Sequence, residues 1–207
     1  MKRVGLLCLA VVLAFGALGV AYAPWTDEVY ITQTVATGDV SIGFSKALIT
    51  ILDDDKDIAS AEASFVGESI GIDALGRDIY PGVDILIANA YPCIEVIEVV
   101  DIASAGSIPV HITSIDITVR RLVPGPEEDL DVLVVGGTGA PGDPLILQVW
   151  EDGVVVMNLA LVNALDVQLH QGGVTALEIH KKFKQPMQQD ATYVMTVKIT
   201  GTQYNWP

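Results

Sequence analysis

Hydrophobic and polar positions alternate with a period of two along most of this chain, the spacing of half-buried β-strands. Trp25, Val29, Ile31 and Val35 share one parity, with Asp27 and Gln33 between them. Thr26, Glu28, Thr32 and Thr34 take the other. After Thr37-Gly38-Asp39, the residues Val40, Ile42 and Phe44 continue as a second strand. Leu52 to Ile79 breaks the pattern with Asp53-Asp-Asp-Lys-Asp57, small residues and three glycines. It reads as a long surface excursion with room for one short strand or a turn of helix, closed by a turn at Tyr80-Pro81-Gly82.

Strands follow at Val83 to Ala88 and at Ile94 to Ile102, the latter with Glu95, Glu98 and Asp101 as solvated positions. Pro109 to Arg121 is a long strand whose apolar parity switches near Ser114, as a β-bulge would make it. Val132 to Val135 is short. Leu145 to Trp150 and Val154 to Met157 flank Asp152-Gly153, a strong signal for a two-residue hairpin. Asn158 to Gln171 is ambiguous, because Leu161, Leu165 and Leu169 sit at helical spacing. Val174 to Phe183 and Tyr193 to Thr200 are strands. About nine to eleven short strands separated by turns predict an all-β fold, an antiparallel jelly-roll-like β-sandwich.

The start of the chain has another character. Lys2-Arg3 precedes an uncharged run from Val4 to Ala23 that ends in small residues. This is the layout of a secretory signal peptide, residues 1–23, with cleavage near 21–23. It leaves residues 24–36 as an N-terminal strand segment and 37–207 as the sandwich. Export places the protein outside the cell, with membrane contact only through the leader before cleavage. Cys8 goes with the leader, so the fold has no internal disulfide. Cys93 reads as a small buried hydrophobe.

Charge narrows the function classes. Eleven Lys and Arg stand against 26 Asp and Glu, a net of −15. Such a chain does not seek nucleic acid, which requires clustered basic residues. Asp53, Asp55 and Asp57 repeat at the spacing of a calcium loop, although Ile58 stands where an EF-hand needs glycine. The segment is a calcium candidate or a solvated loop tip. His111, His170 and His180 form no His-Glu-x-x-His motif and read as surface or strand-end residues. The Gly136 to Ala140 stretch precedes a proline-rich loop and reads as a turn. No nucleophile elbow or phosphate loop is present, so no enzymatic activity is expected.

The Trp25 to Val35 strand has two readings. It is the first strand of its own sheet, or a donor strand that completes the sheet of a neighbouring copy. Tyr22-Ala-Pro-Trp-Thr-Asp27, Thr37-Gly-Asp-Val40, Asn89-Ala-Tyr-Pro-Cys93, Gly106-Ser-Ile-Pro-Val110, Leu169-His-Gln-Gly172 and Tyr193 to Thr200 with Gln203-Tyr-Asn-Trp206 bear on the choice. In this order they resemble the TasA/camelysin superfamily of secreted β-sandwich fibre proteins, including archaeal bundling-pilus subunits. The resemblance implies an extracellular filament subunit, a homopolymer built by donor-strand complementation through Trp25, Val29, Ile31 and Val35. The alternatives are a camelysin-like surface metallopeptidase using His170 and His180, or a monomeric envelope-associated binding sandwich. Pro24 at the cleavage region and the unpaired Cys93 depart from the family pattern.

Overall fold

The computed structural model describes residues 38–52, 58–123, 125–185, 187 and 190–203. Among them are thirteen strands and no helix. Two edge strands come first, β1 (Ile42–Leu52) and β2 (Ser60–Val66). A two-residue hairpin, β3 (Gly71–Ile72) with β4 (Asp78–Ile79), leads to β5 (Gly82–Ala90), β6 (Glu95–Ser104) and β7 (Val110–Val123). Next come β8 (Glu128–Gly136), β9 (Leu145–Glu151), β10 (Val154–Val162) and the short β11 (Gln168–Leu169). The last strands are β12 (Val174–Phe183) and β13 (Ala191–Gln203).

All pairings are antiparallel. One sheet runs β1-β6-β12-β10-β9-β8 and the other β8-β7-β13-β5-β2. Consecutive strands β5 and β6 thus pair with consecutive strands β13 and β12 from the other end of the chain, the winding of a jelly roll. From β7 to β10 the chain instead runs as a meander. Strand β8 turns the corner: its first residues pair with β7 and its later ones with β9. The result is a β-sandwich, barrel-like at that corner.

Period two decides what lies between the sheets. Val83, Ile85 and Ile87 of β5 and Tyr193, Met195 and Val197 of β13 form one core with Val96, Val100 and Ile102 of β6 and Ile179 and Phe183 of β12. The expected bulge in β7 is present: Ser114 pairs with Thr200 and Ile112 with Gly201, leaving Thr113 as the extra residue. It restores an inward row after the parity switch. The Asp152-Gly153 hairpin also forms, both residues having positive φ (51° and 79°), as a type I′ turn requires.

Three expectations are corrected, and one ambiguity is resolved. Asn158 to Gln171 is not helical. It continues β10 and then crosses to β7, where Val167 and Asp166 exchange backbone hydrogen bonds with Ile112. Leu161 and Leu169 are buried as strand residues, so their helical spacing is incidental. The excursion after Leu52 carries a seven-residue strand, β2, which pairs with β5 along its whole length. Cys93 is exposed, not buried. It occupies the tight turn after Pro92 with a φ of 74° that aims its side chain out of the sandwich. Glu98 is not solvated. It shares the inward parity of Val96 and Val100 and is fully buried.

A second buried charge cluster locks the β8 corner. Arg121 of β7 lies 2.6 Å from Glu128 of β8 and 2.5 Å from Glu151 of β9. Burial pushes the Glu151 carboxyl up, and Arg121 offsets only part of that. Removing the arginine would strand a buried carboxylate. Arg121→Met is therefore expected to cost about 3–5 kcal/mol in urea unfolding. Adding Glu151→Gln should recover part of the loss; purely additive effects in the double-mutant cycle would contradict the pairing.

Candidate functional site: the β1 and β2 edges

The sandwich is tied at the β8 corner, and the opposite side is different. β1 ends one sheet and β2 ends the other. Among the described residues no backbone pairing joins β1 to β2. Their inward rows are Ala47, Ile49 and Ile51 on β1 and Ala61, Ala63 and Phe65 on β2. All six pack against the core yet stay half-exposed, whereas the inward rows of β5 and β6 are buried. The two edges therefore frame a partly exposed apolar groove, along part of which β1 and β2 already approach each other. A strand laid in it would be antiparallel to one rim and parallel to the other, because β1 and β2 run in opposite directions.

The groove is closed at one end. Phe44 and Tyr80 exchange two backbone hydrogen bonds of 2.8 Å, bridging β1 to the segment before β5. Gly43 permits this approach, since a Cβ there would lie 2.2 Å from the Tyr80 carbonyl oxygen. Tyr80 stacks on Phe65 with ring centroids 5.0 Å apart, which floors the same end. At the other end Leu52 passes toward β2.

A strap of charges holds the closed end. The Asp73 carboxylate accepts hydrogen bonds from the amides of Leu75 and Arg77 and, at 2.7 Å, from Arg77 Nε. Arg77 Nη1 donates to Asp101 on β6 at 2.8 Å. The excursion containing β3 and β4 is thereby pinned beside β1, with Ile79 buried and Tyr80 in register with Phe44. Burial pushes the Asp73 carboxyl up, but the Arg77 and Leu75 hydrogen bonds outweigh it and hold it at about 2.

The expected site residues distribute unevenly. Trp25, Val29, Ile31 and Val35 lie outside the described residues, as do Asp53, Asp55 and Asp57 in the connection from β1 to β2. His111 Nε2 lies 2.8 Å from Asp166 Oδ1. His180 faces Glu178 at 3.5 Å and Glu95 at 3.8 Å on the outer side of β12. His170 is exposed in the turn after β11. Among the described residues no three His, Cys, Asp or Glu side chains are grouped to hold a metal ion. Sequence reasoning singled out the segment before β1 and missed the groove. The available signal was the alternation in Ser60 to Val66, whose inward residues are mostly alanine and so do not read as a strongly apolar strand. Compared with protein-family models, curated proteins and solved structures, the chain matches none.

The strap gives a pH dependence of definite sign. Asp73 is depressed in the folded protein, so its contribution is complete above the ordinary value of 3.8 and is lost as pH falls toward about 2. Melting temperatures across that window should drop for the wild type. Asp73→Asn should flatten this part of the profile and cost about 1–3 kcal/mol near neutrality. An unchanged profile in the variant would contradict the assignment.

Proposed function

We propose that this protein is the structural subunit of an extracellular filament. In this reading residues Trp25 to Val35 of one copy fill the groove between β1 and β2 of the next. The observation that carries it is the half-exposed inward row on two neighbouring edge strands, beside the buried inward rows of β5 and β6. An open edge is a pairing template that soluble proteins normally block. Here the chain also offers, just upstream, an alternating segment of the right length to cover it.

Polarity supports the same reading. The described chain begins at Gly38 and Asp39, beside Ser107 and Ile108, at the end of the sandwich where the groove is closed. The groove runs from there toward Leu52. A segment leaving one pole and a groove leading to the other make a heterologous, head-to-tail contact, which propagates as a filament unless rotation closes it. The acidic surface keeps single subunits soluble by self-repulsion. The ordered motifs similar to the TasA/camelysin superfamily favour this assignment over a monomeric envelope module or a peptidase.

The energetics are adequate. Each of Val29, Ile31 and Val35 would contribute about 1.5–3 kcal/mol on full burial, beside the rim hydrogen bonds. Deleting residues 25–35 should therefore abolish fibres in negative-stain micrographs and leave monomers by light scattering. Ile49→Asp, in the groove, should do the same while leaving the donor intact. Mixing the two variants should give at most short oligomers, since each lacks one half of the joint. Fibres of ordinary length from either variant would overturn the reading.

A further inference from the structure

Glu98 of β6 and Lys181 of β12 point into the sandwich and have no exposed side-chain surface. They are diagonal neighbours on adjacent strands: Glu98 is in register with Ile179, and Val96 with Lys181. Lys181 Nζ contacts Glu98 Oε1, and Glu98 Oε2 has no hydrogen-bond partner in the core. The surrounding inward row is apolar, with Val96, Val100, Ile179 and Phe183 all buried.

An ion pair is poorly suited to this position. Burying each charge costs several kcal/mol, and one carboxylate oxygen here has nothing to offset that cost. Burial pushes the Glu98 carboxyl up and the Lys181 ammonium down, so both move toward their neutral forms. A neutral amine is a nucleophile, and this one is held against an oxygen of the carboxyl group it would attack, in a water-poor core. Fixed contact of that kind replaces a bimolecular encounter by a unimolecular step, with effective molarities of roughly 10⁵ M or more in well-oriented cases.

We propose that Lys181 and Glu98 condense into an isopeptide bond that ties β6 to β12 inside the sandwich. The ammonium first passes one proton to the carboxylate, giving amine and acid. Nζ then adds to Cδ, forming the C–N bond. The surplus proton on nitrogen goes to the hydroxyl oxygen of the acid, the C–O bond breaks, and water leaves. The product is a neutral amide in place of two buried charges, and no other reactant is consumed. The bond forms within one copy and does not depend on polymerisation.

The test is mass spectrometry of the full-length chain as purified, denatured and with its N-terminus sequenced. The expected intact mass is one water below that of the sequence from the observed N-terminus. A protease digest should yield a branched peptide joining the segments that contain Glu98 and Lys181. Lys181→Met should show the full mass and no branched peptide, and the wild-type result stands whether or not that variant folds. A wild-type chain of full mass overturns the proposal. So does a loss of water without the branched peptide, which would place the dehydration elsewhere, for instance at Asp152-Gly153.

Discussion

A strand edge is a row of amide and carbonyl groups that must find partners, and the two sides of this sandwich meet that constraint in opposite ways. On one side β8 passes from β7 to β9 and carries the hydrogen-bonded path around the corner. On the other, β1 and β2 end their sheets, and among the described residues the Phe44–Tyr80 bridge ties β1 to the segment before β5. Much else follows from this asymmetry. The corner needs Arg121 because Glu128 and Glu151 converge where the sheets meet. The opposite side needs the Asp73–Arg77–Asp101 strap because a single two-bond bridge must hold its position without a sheet around it.

The interior follows a different rule. Inward parity normally selects apolar residues, and most of the rows obey it. Besides Arg121 and Glu151 at the corner, two inward positions on neighbouring strands, diagonal to each other, carry opposite charges instead. A protein can place such groups in a core only if they cancel one another, by attraction or by reaction. Either way β6 and β12 become the firmly joined centre of their sheet. β1, on the far side of β6, is joined to that pair along one edge only.

Much of the fold was legible from spacing alone. Val174 to Phe183 is a strand with the bounds its alternation implied. The Asp152-Gly153 turn formed because two positive-φ residues suit the twist of a hairpin, and the parity switch near Ser114 located the bulge. The failures have physical causes. Glu98 reads as solvated by its chemistry, although its parity with Val96 and Val100 points inward. Lys181, on the inward row of Ile179 and Phe183, was the matching clue in a distant strand. Cys93 reads as a core residue by its type, but a left-handed turn position after Pro92 turns it outward. β2 was hidden because small inward residues give little apolar contrast. They are also what leaves room above the groove.

Gly201 of β13 packs against Ile42 of β1, close enough that an added Cβ would lie 3.4 Å from the Ile42 side chain. The first and last strands therefore arrive at the same pole of the sandwich. Ends that close can be joined by a short linker and new ones opened at the exposed Asp152-Gly153 turn. Such a circular permutant keeps every strand of the sandwich but has nothing upstream of β1. In the proposed filament it would accept a neighbour's arm and extend none, and so act as a cap.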